Sequence, residues 1–143
     1  MVGMDIKKMF FDRKAVTGAV DRATRRVLSR FGAFVRRGAK SSIRKRKRIS
    51  APGQPPSSHT GMLKRMIYFG YEPGRQSVVI GPQRVNQKAG TAPEALEYGG
   101  HVRMTWGRNK GKRVAVAARP FMGPAFEKEK PKLPAMWANS VRS

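Results

Sequence analysis

A long amphipathic segment in the N-terminal third of the chain does most to constrain the fold. Between residues 13 and 45, apolar residues recur at steps of three and four, so that they form one stripe along a helix. Arginines lie mostly on the other faces. Because such a stripe has to be covered by a second layer, we expect this helix to pack on a sheet. The stripe consists of Val16, Val20, Ala23, Val27, Phe31 and Phe34, and the arginines are Arg22, Arg26, Arg30 and Arg37.

Three glycines, Gly18, Gly32 and Gly38, lie within this helical segment. Each weakens a helix by up to ~1 kcal/mol relative to alanine. Because glycine has no side chain, these positions can admit a close neighbour. Before the segment, Asp5 predicts the cap of a short helical start.

The rest of the chain predicts a small α+β domain with short elements. Pro52 and Pro55 end any helix and favour an extended loop or arm over residues 46–60. Beyond the loop the pattern predicts a hairpin that turns at Pro73-Gly74, followed by an exposed loop over 83–91. A short helix over 92–98 comes next and is closed by Gly99 and Gly100. The chain then forms a second hairpin from 101–106 and 113–119 and a C-terminal helix, which Pro131 and Pro134 break or kink.

We therefore expect one domain over residues 1–143. It consists of an N-terminal helical region (1–45), the loop 46–60, two hairpins with the short helix over 61–119, and a C-terminal helical region (120–143). The predicted fold is α+β, with the long N-terminal helix and the C-terminal helix packed on a small antiparallel β-sheet made of the two hairpins.

The chain is strongly basic, with 31 Lys and Arg against 8 Asp and Glu and a net charge of +23. Residues 1–50 contain 16 basic and 3 acidic residues, and residues 101–143 contain 10 and 2. The middle of the chain is nearly neutral. Self-repulsion at this charge opposes a compact monomer and predicts an acidic partner, which is nucleic acid, an anionic membrane surface or an acidic protein face.

Residue patterns that carry catalysis are scarce. The absence of cysteine excludes disulfides, zinc–thiolate sites and thiol nucleophiles. His59 lies in a Pro/Ser-rich loop, where we expect solvent exposure and not metal ligation, and His101 lies at a strand start beside two glycines. No apolar run approaches the ~20 residues of a membrane span. We expect no enzymatic activity, no metal, no cofactor and no membrane contact. The acidic pairs Glu94 with Glu97 and Glu127 with Glu129 are typical of solvated or salt-bridged surface.

Two features favour nucleic-acid binding. The run RKRKR at 44–48 and the basic residues of 108–113 could neutralise several phosphates. Tyr68, Phe69 and Tyr71 could stack on bases, although their spacing also fits a half-buried hairpin. No RRM, KH, zinc-finger or helix-turn-helix signature is present. From the residues alone, the chain is a basic α+β domain that binds an acidic partner.

Four segments, in order, carry motifs. They are the basic helix end RRGAKSSIRKRK, then HTGMLKRMI at 59–67, APEALEYGG at 92–100 and ARPFMGPAFEKEK at 118–130. Together they resemble the small tail-completion, or head–tail joining, proteins of lambda-like long-tailed bacteriophages. The net charge and the two C-terminal prolines depart from that pattern. The motif residues are Thr60, Gly61, Leu63, Glu97, Tyr98, Gly99, Arg119, Pro120, Phe121, Pro124 and Ala125.

Maintenance of the fold is the physical role that we expect for most of these motif residues. We also expect Arg119 to pair with Glu97 and so to join two motifs. The other expected roles are a turn with positive φ at Gly61 leading into the first strand, a first helical turn at Pro120, and anchoring of the last helix to the sheet by Phe121 and Phe126.

The resemblance implies a structural protein of the virion neck or tail, made in the host cytoplasm. Such proteins form a homo-oligomeric ring, commonly a hexamer, between a stopper or adaptor on the head side and a tail terminator or tail tube. Genomic DNA passes through the lumen. A closing ring needs a head-to-tail interface, which a hairpin edge pairing with the next subunit can supply. The alternative is a basic nucleic-acid-binding protein of the ribosomal or DNA-packaging type.

Loops 46–60 and 103–113 are the expected contact regions in such a ring. We expect both to be mobile in the isolated chain and to become ordered on a neighbouring subunit or ring. The candidate interaction surface consists of Arg44, Lys45, Arg46, Lys47, Arg48, Arg103, Arg108, Lys110, Lys112 and Arg113.

Overall fold

A computed structural model describes residues 12–83, 92–105 and 107–141. The predicted helical start at Asp5 and nearly all of the predicted loop 83–91 lie outside these ranges. Within them the chain has the expected α+β fold, with a long N-terminal helix, shorter helices and small two-stranded sheets.

The long helix, α1, spans Arg13–Ser42 and is capped by Asp12, whose Oδ1 accepts a hydrogen bond from the N–H of Ala15 at 2.9 Å. It ends three residues earlier than the sequence pattern predicts. The hydroxyls of Ser41 and Ser42 donate to the carbonyls of Gly38 and Ala39, so both side chains find a partner within the helix end. The chain then becomes extended at Ile43.

Short elements follow α1 and pair only locally. The two hairpins predicted from the sequence are confirmed, but among the described residues they form separate two-stranded sheets and not one sheet. A third pair, β1–β2, is parallel. The elements are β1 Arg44–Lys45, β2 Ser57–Ser58, α2 Met62–Arg65, β3 Ile67–Glu72, β4 Ser77–Pro82, α3 Ala92–Tyr98, β5 Gly100–Arg103, β6 Arg113–Val116, α4 Met122–Glu129, a 3-10 turn Lys130–Lys132, and α5 Leu133–Trp137.

The buried face of α1 begins further along the helix than predicted. Val16 and Val20 are 44% and 41% exposed, because the hairpin β3–β4 and helix α4 cover only the later turns of α1. The stripe continues past Phe31 through Val35 and Ala39, which are fully buried. The core is formed by Phe31, Val35, Ala39, Ile43, Ile67, Phe121 and Ala125.

Two of the three helix glycines lie where other elements cross α1. A Cβ on Gly32 would stand 2.7 Å from Val78 Cγ2 and 2.9 Å from Phe69 Cδ2 of the β3–β4 hairpin. A Cβ on Gly38 would stand 3.4 Å from the Cβ of Ala125 on α4. The expectation that these glycines admit close neighbours is therefore confirmed at both positions.

The loop 46–60 lies against the body of the protein. Ser50, Pro56 and Ser58 are buried, and the N–H of Gly53 donates to the carbonyl of Ala118 at 2.8 Å. Pairing of β2 with β1 holds the far end of the loop. The segment thus has packing contacts of its own within the chain, and its mobility in the isolated protein stays a prediction.

The C-terminal region is broken at its prolines, as predicted. Helix α4 gives way to a 3-10 turn containing Pro131, and α5 begins beside Pro134. The helix starts at Met122, so Pro120 precedes it and is not in its first turn. Proline removes a backbone donor and narrows φ, which accounts for the change of helix type.

Candidate functional site

The carboxylate of Glu97 joins helix α3 to the start of helix α4. Its Oε2 accepts hydrogen bonds from the N–H groups of Phe121 and Met122 at 2.9 and 3.0 Å, and its Oε1 accepts one from Gly123 at 2.6 Å. The first N–H groups of a helix have no partner within it and carry partial positive charge. Glu97 therefore acts as the cap of α4, and two of the sequence motifs meet at this point.

Arg119 joins the motifs in a different way from the one predicted. Its Nε donates to the carbonyl of Ser50 at 3.0 Å, and its Nη1 donates to the carbonyl of Ala117 at 3.1 Å. Its backbone N–H bonds the carbonyl of Leu96. The expected Arg119–Glu97 pair is wrong, since the Glu97 carboxylate is occupied by backbone N–H groups and the guanidinium fastens the loop 46–60.

Gly99 allows the end of α3 to lie against the strand segment that leads to α4. Its φ is +76°, and a Cβ there would stand 3.1 Å from the N of Ala118 and 3.2 Å from the O of Val116. Both the conformation and the contact favour glycine. The predicted role of Gly99 in ending the helix is confirmed.

Thr60 and Gly61 form the start of α2. Gly61 has the expected positive φ of 76°, and the Thr60 hydroxyl accepts a hydrogen bond from the N–H of Met62 at 3.3 Å. The turn does not lead straight into the strand as predicted, because the single helical turn of α2 intervenes. Leu63, on this turn, is half-buried against the core.

Two motif residues point outward and do not maintain the core. Tyr98 is 80% exposed at the end of α3, and Pro124 is exposed on α4. In contrast, Phe121 and Ala125 are buried, at 1% and 7% exposure. Phe126 is 40% exposed and packs edge-to-face on Phe31 of α1, so it anchors α4 to that helix and not to a sheet.

The basic run at 44–48 is exposed along its whole length. Arg44 and Lys45 form β1, and the Nε of Arg46 donates to the hydroxyl of Ser57 on the neighbouring strand at 2.9 Å. Lys47 and Arg48 lie in the loop that follows, exposed like the rest of the run. The structure therefore presents this predicted surface on a segment that is held in place.

The hairpin β5–β6 carries the second predicted basic surface. Four backbone hydrogen bonds lie in its turn, among them the bond from the N–H of Met104 to the carbonyl of Lys112 at 3.0 Å and the bond from the N–H of Gly111 to the carbonyl of Met104 at 2.8 Å. Beyond itself, β5 contacts chiefly α3. The basic residues of this hairpin are all exposed, and they are Arg103, Arg108, Lys110, Lys112 and Arg113.

A third basic surface, on α1, was not among the predicted contact regions. Within the described ranges, the only lysines and arginines within 4 Å of a carboxylate are Arg75, Lys130 and Lys132. The i, i+4 spacing of Arg22, Arg26 and Arg30 was the sequence signal for this surface. Five arginines are exposed on α1, and two further basic residues, Arg36 and Lys40, are half-buried beside them; the exposed ones are Arg22, Arg25, Arg26, Arg30 and Arg37.

Crowding of positive charge is visible at Lys40. Partial burial lowers the pKa of its ammonium group below the usual 10.5, and the charges of Arg36 and Lys64 lower it further. Arg36 itself is fixed, because its Nε donates to the carbonyl of Ile67 at 2.8 Å and its guanidinium lies 5.9 Å from the ring centre of Tyr68.

Neither a metal-ion site nor a membrane-spanning helix is found in the described part of the chain. No group of three or more His, Asp or Glu side chains in the described part of the chain could hold a metal ion. None of the helices described is both long and apolar enough to cross a membrane. Comparison with protein-family models, with curated proteins and with solved structures finds no match for this chain.

Proposed function

We propose that this chain is a non-enzymatic structural subunit of a homo-oligomeric ring that completes a phage tail and joins it to the head. The hairpin β5–β6 carries the proposal. A two-stranded hairpin is marginally stable alone, and its outer edges offer unpaired N–H and C=O groups to another chain. Among the described residues no third strand covers either edge. A neighbouring subunit can supply that cover.

Exposed large side chains at both hairpins add to the proposal. Tyr98 is 80% exposed two residues before β5, and Val79 is 63% exposed on β4 of the other hairpin. Tyrosine is enriched in the buried centres of interfaces, where it supplies a large contact area. Because the net charge of +23 opposes self-association, the ring has to close through such contacts or around an acidic partner.

Electron microscopy of particles assembled without this chain is the direct test. We expect filled heads and finished tails that remain apart and that join when the purified protein is added. Joined particles without the protein, or an absence of filled heads, would contradict the proposal. A Tyr98→Ser variant should fail to join them, whereas a Val20→Ser variant, altered at a half-exposed valine of α1, should succeed.

A second candidate function is nucleic-acid binding. The five exposed arginines of α1 favour it, because among the described residues none of them lies within 4 Å of a carboxylate. Phosphate contacts make the logarithm of the affinity fall steeply with the logarithm of the salt concentration. A duplex-binding titration at several salt concentrations separates this function from the ring, which persists in purified particles.

A further inference from the structure

One ridge of α1 runs along its seam with the C-terminal helices. The residues Arg26, Arg30, Phe34, Arg37 and Ser41 follow one another at steps of four, four, three and four, which places them on one line of the helix. From first to last the ridge is ~22 Å long at 1.5 Å per residue. Its three arginines are exposed and line the seam, to which the C-terminal segment contributes Lys128 and Lys132.

Two openings lie along this seam. One, of about 420 Å³, is lined by Phe34, Arg37 and Ser41 on α1 and by Lys128 and Lys132 on the opposite wall. The other, of about 200 Å³, is lined by Arg26 and Arg30 together with residues 135, 136 and 138–140. We call the surface formed by Arg26, Arg30, Phe34, Arg37, Lys128 and Lys132 the seam groove.

The charge of the seam groove is strongly positive. It holds five basic side chains, and the one carboxylate that lines it, Glu129, is engaged by the ammonium group of Lys132 at 2.9 Å. Glu129 is only 8% exposed, so its carboxylate neutralises the charge of Lys132 and is largely shielded from solvent. The other four basic side chains of the groove have no carboxylate within 4 Å among the described residues.

The centre of the groove is an aromatic ring held between two cations. The guanidinium carbons of Arg30 and Arg37 lie 5.7 and 5.6 Å from the ring centre of Phe34, which is half-buried. Cation–π contacts of this kind hold both guanidiniums beside the ring and reduce the ordering cost of binding. Nearby, the hydroxyl oxygen of Ser140 is buried with no hydrogen-bond partner among the described residues.

We infer that the seam groove is a binding site for the phosphate backbone of nucleic acid. Guanidinium groups match phosphate oxygens with paired hydrogen bonds, and the ridge presents three of them in a row. Duplex DNA carries one negative charge per about 1.7 Å of its axis, so the phosphates of its two strands put a dense negative charge opposite a ridge of ~22 Å. An acidic protein segment in which carboxylates alternate with neutral residues carries less negative charge over the same length. The inference rests on the nucleic-acid candidate above and not on the ring.

The test compares two variants that lose the same charge. One carries Arg30→Gln, Arg37→Gln and Lys128→Gln in the seam groove. The other carries Arg108→Gln, Lys110→Gln and Lys112→Gln in the turn of β5–β6. Binding of a labelled duplex of about 20 base pairs is followed by fluorescence anisotropy between about 50 and 200 mM salt, the range over which phosphate contacts change affinity most visibly.

We expect the seam-groove variant to bind at least about tenfold more weakly and to lose about three from the slope of log affinity against log salt. The turn variant should change both quantities much less. Lys128→Gln alone, at an exposed position on α4, should lower the slope by about one without affecting the fold. Thermal unfolding of each variant shows whether the fold is kept.

Three results would overturn the inference, each in a different way. Equal weakening by both triple variants would show that binding follows overall charge and not this groove. No binding by the unaltered chain would remove the nucleic-acid function altogether. Competition by polyglutamate that matches competition by unlabelled duplex would identify an acidic protein as the partner. None of these results bears on the ring, which is judged by particle joining.

Discussion

The N–H of Gly123 donates to Glu97 Oε1 at 2.6 Å, and a Cβ on Gly123 would stand 3.0 Å from the same oxygen. The small residue therefore lets the carboxylate reach the first turn of α4, where Phe121 and Met122 supply two further N–H groups. Through this contact a residue on α3 fixes where the C-terminal helix begins. The motif at 92–100, which ends α3, and the motif at 118–130, which begins α4, are thus joined by hydrogen bonds into one unit.

Replacement of the capping carboxylate should weaken the fold. Glu97→Gln keeps the size of the side chain but places an NH₂ group against N–H donors and removes the charge that complements the helix N terminus. We expect the free energy of unfolding to fall by about 1.5–3 kcal/mol. Glu94→Gln, at an exposed position on the same helix, should change it by less than about 0.5 kcal/mol. Equal effects in chemical denaturation would show that the cap contributes nothing particular.

Two glycines of α1 should respond in opposite directions to the same substitution. Gly32→Ala places a methyl group 2.7 Å from Val78 Cγ2, so the hairpin has to shift, and we expect a loss of about 1–3 kcal/mol. Gly18→Ala meets only the flexible end of Arg22 at 3.4 Å and should gain up to ~1 kcal/mol from helix propensity. Thermal unfolding measures both. A stabilising Gly32→Ala would mean that α1 and the hairpin are less closely packed.

The sequence predicts the elements of this fold better than the way they meet. The 3.6-residue period identifies α1, and the turn signals identify both hairpins, because these depend on local residues. The extent of the buried stripe depends on what covers the helix, so Val16 and Val20 could not be assigned from the pattern. Whether two hairpins join into one sheet depends equally on contacts distant in sequence.

The same distinction applies to the candidate site. Exposed basic runs at 44–48 and 103–113 are visible in the sequence as composition. The seam groove combines an arginine ridge of α1 with Lys128 and Lys132, which lie about ninety residues later, so only the packing of α1 on α4 brings them together. The sequence assigns Glu97 to the solvated surface because its hydrogen-bond partners are backbone N–H groups, which no residue type in the sequence identifies.

Lys40 should make stability depend on pH. Its pKa in the folded state is lower than the usual 10.5, so the folded state binds fewer protons at this group than the unfolded state does. Stability contributed by this group therefore rises as the pH increases from the lowered pKa toward 10.5, and below that window the charge destabilises the fold. Lys40→Met should be more stable at neutral pH, by less than about 1 kcal/mol because the side chain is partly solvated.

The measurement for Lys40 is the difference in unfolding free energy between variant and original chain across that window. We expect the difference to shrink as the pH rises, since the unaltered lysine then becomes neutral in the folded state. Val20→Met, at a half-exposed position of α1, alters no titrating group and is the control, which should give a flat difference. A flat difference for Lys40→Met as well would mean that its ammonium group is freely solvated.

Arg119 should control the order of the loop 46–60. Its Nε–Ser50 bond and the neighbouring Gly53–Ala118 bond fasten the middle of that loop to the segment before α4. Arg119→Ala leaves the Ser50 carbonyl without this donor, and we expect a loss of about 1–3 kcal/mol together with faster amide exchange across the loop. Arg119→Lys should recover little, because an ammonium group cannot reproduce the two directed guanidinium bonds.

Amide hydrogen exchange resolved by segment measures the effect of Arg119. The increase should be confined to the loop, and α1 should keep its protection because it packs on β3–β4 independently of Arg119. Arg113→Ala, at an exposed position at the start of β6, removes the same charge and should leave the loop unchanged. Unaltered amide exchange over residues 46–60 in Arg119→Ala would show that the β1–β2 pairing alone holds this loop. The position of the basic run 44–48 would then not depend on Arg119.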